Sequence, residues 1–168
     1  MNNIEKINNI KYGWVDKDHN IHIDDYDTFS DDYRLQSPEE VLESKVGVCW
    51  DQVELERELF KDYENVKTYF IVHYDDAKCP THTFLTYTKD GKVYWFEHAW
   101  EMYRGVHEYA SIRELLKDVR SKFIDCEIHG DYQKDKLVIH EYSKPKYGIG
   151  VIDFFTHCDS GPFINLDE

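Results

Sequence analysis

Apolar residues along the chain follow two different spacings, and the extended spacing predicts the strands. Residues Val66 to Val72 form a nearly unbroken apolar run, as expected of a central strand that is covered on both faces. From Thr81 to Glu97, β-branched and aromatic residues flank an Asp90-Gly91 pair, which favours a hairpin with a two-residue turn. Further strands are expected at Phe123 to Ile128 and at Leu137 to Tyr142.

The helical spacing begins at Ser37-Pro38-Glu39-Glu40, where a hydroxyl cap, a proline and a following glutamate together predict a helix start. A second helix is predicted from Cys49 to Phe60 or Lys61. Cys49, Val53 and Phe60 share one face of it, and the acidic Glu56 falls on that same inner face. Two more helices are expected, an amphipathic one that opens at Ser111 and a last one from Val151 to Cys158.

Length and composition predict how these elements are organised. The chain has 168 residues, of which 41% are hydrophobic and 15% aromatic, and this is enough for one domain with a real core. We therefore predict a single α+β domain over residues 1–168, with its core at about 37–128. In that core, the helix that carries Cys49 is expected to pack on an antiparallel sheet.

The balance of charges excludes some classes of partner. Acidic residues outnumber basic ones by 34 to 20, and the formal net charge is −14. This charge argues against nucleic acid or an anionic membrane surface as a partner, because the sequence shows no local basic patch. The N-terminus lacks an apolar run after its first charges, and no stretch has the length of a membrane span. We therefore expect a cytoplasmic protein.

Cys49 is placed differently from the other cysteines, Cys79, Cys126 and Cys158. The four are scattered without a close pair, so they form neither a zinc ribbon nor a dithiol redox motif. Cys49, in Gly-Val-Cys-Trp, stands where an irregular segment turns into a helix. The unpaired N–H groups and positive dipole end of a helix start favour the nucleophilic thiolate. The alternative is that Cys49 is simply a small core residue.

The predicted hairpin brings a possible base close to an acid. If Asp90-Gly91 is the two-residue loop, Phe84 stands opposite Glu97, and His82 stands opposite Ala99. His82 and Glu97 then share one face, one diagonal step of roughly 7–8 Å apart, which a glutamate side chain can bridge. A three-residue loop would instead turn Glu97 away.

The order Cys49, His82 and Glu97 resembles the transglutaminase-like branch of the papain-like cysteine enzymes. Trp50 strengthens the resemblance, because Cys-Trp recurs in transglutaminases and in papain-type proteases. The resemblance covers about Val41 to Trp100. It implies that Cys49 is the nucleophile, His82 the general base and later acid, and Glu97 the group that orients the imidazole. The family usually has aspartate in the third place, and this chain has glutamate.

His98 is an alternative base, because His-Ala-Trp, found here at 98–100, is itself a common setting for the histidine of this family. The acid should then lie on a strand that follows His98. Glu101 to Tyr109 is instead expected to form a helical turn and a loop, so no strand is left to hold that acid. This favours His82, and His98 is then a structural or supporting histidine.

The predicted activity is acyl transfer without a metal or an organic cofactor. The Cys49 thiolate would attack the carbonyl of a peptide, protein or small amide substrate, and water or an amine would resolve the thioester. Besides the Cys49 N–H, the second oxyanion donor is open, with Gln36, Trp14 and Gln52 as candidates. Hydrolysis is the expected outcome.

Three alternatives stay open beside hydrolysis. One is transfer to an amine, and another is a catalytically silent domain of the same fold that binds a peptide or protein partner. The third is a metal site built from His73, Cys79, His82 and Glu97 or His98, whose residue types suit zinc although their spacing matches no compact site.

Overall fold

The computed structural model describes residues 3–75 and 79–167. Helices surround a five-stranded antiparallel sheet, which confirms the predicted α+β class and the antiparallel sheet. The helices are α1 (Asn3–Asn8), α2 (Phe29–Asp32), α3 (Pro38–Ser44), α4 (Cys49–Leu59), α5 (Ile112–Glu127) and α6 (Val151–Asp159). The strands are β1 (Trp14–Val15), β2 (Ile21–His22), β3 (Glu64–His73), β4 (Thr81–Lys89), β5 (Lys92–Glu97), β6 (Gly105–Tyr109) and β7 (Leu137–Tyr142).

The main sheet has the strand order β6-β5-β4-β3-β7, and β1 and β2 form a separate small sheet. Strand β3 is covered on both faces, as predicted from its apolar run. Phe70 and Val72 pack with Val53 of α4 and Phe154 of α6 in one core cluster. The opposite face of the sheet packs against α5 in a second core cluster. This cluster includes Tyr69, Ile71 and Phe84 of the sheet, and Leu116 and Phe123 of α5.

The hairpin between β4 and β5 has the predicted register. Lys89 pairs with Lys92, and Leu85 pairs with Phe96. Asp90 and Gly91 have φ values of 51° and 77°, and two successive positive values define the expected two-residue turn. Counting one step on from Leu85 and Phe96 places Glu97 on the face of Phe84 and His82.

Helix α3 starts as predicted. The Ser37 hydroxyl accepts a hydrogen bond from the Glu40 N–H at 3.2 Å, and the Glu40 carboxylate accepts one from the Ser37 N–H at 3.3 Å. Lys45 ends the helix in the left-handed region, with φ of 62°. The chain can therefore reverse within a few residues and start α4 at Cys49.

Two of the predictions are wrong. The segment Glu101 to Tyr109 holds a short 3-10 turn and then strand β6, which pairs with β5 at the edge of the sheet. As an edge strand it is mostly exposed, so its sequence carries little apolar signal. The strand predicted at Phe123 to Ile128 belongs to α5, because Phe123 continues the helix's buried face after Leu116 and Val119.

Within the described ranges, no helix combines the length and the apolar character needed to cross a membrane. The longest helix, α5, has 16 residues and one buried face.

Candidate active site

Cys49 occupies the first position of α4, as the sequence predicts. The preceding residue, Val48, has no polar side chain to cap the helix. Its backbone N–H donates instead to Asp51 Oδ2 at 3.0 Å. Gly47 is required nearby, because a Cβ atom there would lie 2.9 Å from the Cβ of Asp51. Asp51, a residue of α4 itself, therefore caps the start of the helix.

Asp51 connects the Cys49 turn, residues 47–51 at the start of α4, to the preceding chain. Its Oδ1 accepts a hydrogen bond from the Tyr33 hydroxyl at 2.8 Å and one from the Gln36 N–H at 2.9 Å. Burial raises the pKa of Asp51 to about 7, while the hydrogen bonds from Gln36, Tyr33 and Val48 favour its ionised form. Our sequence reasoning missed this residue, although an aspartate at the third position of a predicted helix is a known capping signal.

The structure brings together Cys49, His82 and Glu97, which are 5%, 6% and 3% exposed. His82 Nε2 lies 2.5 Å from Glu97 Oε1, and His82 and Cys49 line the same cavity, close enough for Cys49 to act on the pKa of the ring. Burial alone would lower the pKa of His82. The charge of Glu97 and the interactions of the ring with Cys49 and Glu97 outweigh burial and raise this pKa well above its usual value. The imidazole is thus held between a thiol and a carboxylate in its charged form.

The Glu97 carboxylate is held on its other side by the backbone that follows it. Its Oε2 accepts hydrogen bonds from the N–H groups of His98 and Trp100, both at 3.0 Å. These two hydrogen bonds fix the orientation of the carboxylate toward His82. Glu97 thus makes the contact with the histidine that the hairpin register predicts.

His98 has a different environment. Its Nδ1 lies 2.8 Å from Gln52 Oε1, and Gln52 Nε2 donates to the Gly47 carbonyl at 2.7 Å. Burial first, and then the charge of Arg104, lower the pKa of His98 to about 4, so this ring is neutral at pH 7. Although β6 does follow His98, the ring partner is an amide rather than an acid. His98 thus clamps the turn before Cys49 through Gln52.

The side chains predicted as oxyanion donors make other hydrogen bonds. Gln36 Nε2 donates to the Val46 carbonyl at 2.9 Å, and Trp14 Nε1 donates to the Asp25 carbonyl at 2.6 Å. Gln52 Nε2 is held by Gly47, as described above. All three side chains are buried and tie down the backbone around the site.

Trp50 follows Cys49 in α4 and is buried. Its Nε1 donates to Thr81 Oγ1 at 3.3 Å, and its ring stacks on Phe154 with 4.3 Å between centroids. Trp50 therefore joins the start of α4 to the start of β4, next to His82, and to α6.

Glu56, the acidic residue predicted on the inner face of α4, is buried at 2% exposure. Burial first, and then the negative charge of Glu97, raise its pKa well above the usual value. Burial and the nearby charge of Glu97 thus both disfavour a second negative charge at this position of the core.

The Cys49 and His82 side chains line an open cavity of about 350 Å³. Its wall also contains Tyr12, Trp100, Glu101, Arg104 and Glu127. Tyr12 and Glu127 come from outside the Val41–Trp100 region of family resemblance, and the sequence offered no signal that would place either of them here. The cavity opens from Cys49 and His82 to the surface.

The residues considered as a metal site do not converge. Across residues 3–75 and 79–167, no group of three His, Cys, Asp or Glu side chains is arranged to hold a metal ion. His73 Nε2 accepts a hydrogen bond from the Gln133 N–H at 3.2 Å, while His82 and Glu97 bond each other.

Comparison of the chain with models of known protein families and with curated protein sequences gives no match. The geometry of the site is therefore the basis for assigning a function.

Proposed function

We propose that this protein is a cysteine-dependent acyl-transfer enzyme with a transglutaminase-like, papain-like core, and that Cys49, His82 and Glu97 form its catalytic triad. One observation carries the proposal: a buried imidazole lies between the thiol at a helix start and a carboxylate, at the wall of an open cavity. This is the arrangement in which a base activates a nucleophile and a third group orients the base.

In the proposed reaction, the Cys49 thiolate attacks the carbonyl carbon of an amide, and a carbon–sulfur bond forms. The imidazolium of His82 gives its proton to the leaving amine as the carbon–nitrogen bond breaks. Water then attacks the thioester and passes a proton to His82, which releases the carboxylic acid and restores the thiolate. Glu97 keeps His82 oriented and stabilises its positive charge throughout.

Peptides, proteins and small amides are the proposed substrates, with water as the usual acceptor, and no step requires a metal or an organic cofactor. Transfer to an amine is the second candidate, because the carboxylates of Glu101 and Glu127 at the cavity would attract a cationic amine. Mass spectrometry of an acylated protein incubated with and without a primary amine separates the two outcomes. We also propose a reducing, cytoplasmic setting, which the free thiols of all four cysteines support.

The four cysteines are expected to differ in reactivity at pH 7. Cys49 should react with iodoacetamide about tenfold faster than Cys79, because an unperturbed thiol is only a few per cent ionised at that pH. Burial and neighbouring acids raise the thiol pKa of Cys79 and Cys158, so both are expected to react slowly. Peptide mass spectrometry after timed alkylation measures each rate separately.

In the variant His82→Gln, Cys49 should lose its faster alkylation, because glutamine can hydrogen-bond Glu97 but carries no charge. The alkylation rate of Cys79 should not change. Thermal unfolding of the variant checks that the fold is kept. If Cys49 reacts no faster than Cys79 in the unchanged protein, the triad is not active, and the fold serves as a binding module.

A further inference from the structure

The geometry points to one residue that completes the site, and this inference rests on the proposed function. Acyl transfer to a thiol forms a tetrahedral intermediate with a negative oxygen, which usually needs two hydrogen-bond donors. The first-turn N–H groups of α4, including that of Cys49, provide one donor because a helix leaves them unpaired. The single N–H of Trp14 donates to a backbone carbonyl, Gln36 and Gln52 each give one amide N–H to a backbone carbonyl, and none of the three belongs to the cavity wall that holds Cys49.

Tyr12 is held next to the Cys49 turn by backbone hydrogen bonds on both sides of it. The Lys11 N–H donates to the Lys45 carbonyl at 2.9 Å, and the Lys11 carbonyl accepts from the Gly47 N–H at 3.0 Å. The Gly13 N–H donates to the Gly47 carbonyl at 3.4 Å. The segment 11–13 therefore runs along the residues that lead into Cys49, and its position is fixed by the main chain.

The Tyr12 side chain lines the same cavity as Cys49 and His82. A tyrosine hydroxyl has an ordinary pKa of about 10, so it is protonated near neutral pH and able to donate. Arg104 also lines the cavity; its Nε–H donates to the His98 carbonyl at 2.7 Å, while its terminal N–H groups are further donors at this wall.

We propose that the Tyr12 hydroxyl is the second donor to the oxyanion formed at Cys49. The tyrosine lies on the cavity side of the Cys49 turn, where the carbonyl oxygen of a bound substrate would be placed between this hydroxyl and the helix N–H groups. The chain thus supplies from its N-terminal segment a donor that the glutamines and the indole of Trp14 do not provide.

The test compares two reactions of the same thiol in the variant Tyr12→Phe. Acylation by p-nitrophenyl acetate passes through an oxyanion, whereas alkylation by iodoacetamide displaces iodide and forms none. Loss of one oxyanion donor should slow acylation of Cys49 roughly a hundredfold. Alkylation should change by less than about twofold, since the thiolate and His82 are untouched. Release of p-nitrophenolate is followed by absorbance, with Cys49→Ser as the background.

Tyr26→Phe is the matched control. Tyr26 is 42% exposed and Tyr12 is 44% exposed, and the charge of Cys49 contributes to the raised pKa of both hydroxyls. Tyr26 is not part of the cavity wall that holds Cys49. Its variant should acylate at the unchanged rate, and thermal unfolding of both variants tests whether either loses its fold.

Each outcome decides the inference. Slow acylation with normal alkylation in Tyr12→Phe supports the oxyanion role. Unchanged acylation overturns this role while the proposed triad stands. An equal loss of both reactions also overturns it, because Tyr12 would then act on the thiolate rather than on the oxyanion. If the unchanged protein is acylated no faster than Cys49→Ser, the proposed function itself fails.

Discussion

Replacing Asp51 by alanine is expected to lower the free energy of unfolding by about 3–5 kcal/mol. The substitution leaves three donors, the Tyr33 hydroxyl and the N–H groups of Gln36 and Val48, without their buried acceptor. Each buried donor that loses its partner costs on the order of 1–3 kcal/mol. The loss is expected to disorder the turn before Cys49 first, because all three donors belong to chain that precedes the helix.

Urea unfolding followed by tryptophan fluorescence measures this change. Asp153→Ala is the matched control, because Asp153 also occupies the third position of a helix, in α6, but is exposed. Its loss should stay within about 0.5 kcal/mol, the usual range for a surface substitution. Equal losses for the two variants would show that Asp51 acts only on the helix dipole and that its buried hydrogen bonds contribute nothing further.

The parts of the fold that local chemistry determines were predicted correctly. The capping box of Ser37 and Glu40 and the turn of Asp90-Gly91 depend on residues within four positions of each other. The turn also determines which face of β5 Glu97 occupies, so the sequence predicts the contact between His82 and Glu97, and the structure confirms it. The register of the β4–β5 hairpin thus links the local turn to the contact between His82 and Glu97.

The features that depend on distant partners were missed. Strand β6 pairs with the edge of β5, and its own residues alternate weakly between exposed and half-buried positions. Phe123 has β propensity, but its packing with Leu116 and Val119 on one helix face overrides that preference. Tyr12 reaches the cavity through a pairing of segments 11–13 and 45–47 that no periodicity in either segment reveals.

Glu97→Gln is expected to reduce the rate of acyl transfer by about 10²- to 10⁴-fold while Cys49 and His82 are both retained. The glutamine oxygen would face the N–H groups of His98 and Trp100, which now donate to the carboxylate. Its amide N–H would then point at His82 Nε2 and require this nitrogen to accept. The proton of a neutral imidazole would move to the nitrogen that faces Cys49, where a base is needed.

The substitution should also change the dependence of the rate on pH. The charge of Glu97 contributes to a His82 pKa well above its usual value, so the imidazolium in the unchanged protein persists as the pH rises above neutrality. Glutamine removes that charge, and the imidazolium is lost at a lower pH. The alkaline limb of the acylation profile, where the general acid disappears, should therefore move to lower pH.

Glu101→Gln is the control for Glu97→Gln, because Glu101 is an exposed carboxylate on the wall of the same cavity. Its variant removes one negative charge without touching His82, and its alkaline limb should stay in place. A shift of equal size in both variants would mean that the general field of the cavity sets the His82 pKa, and Glu97 would then have no orienting role. A shift confined to Glu97→Gln, with the thermal unfolding temperature maintained, would assign the third position of the triad to a glutamate whose carboxylate is held by two backbone N–H groups.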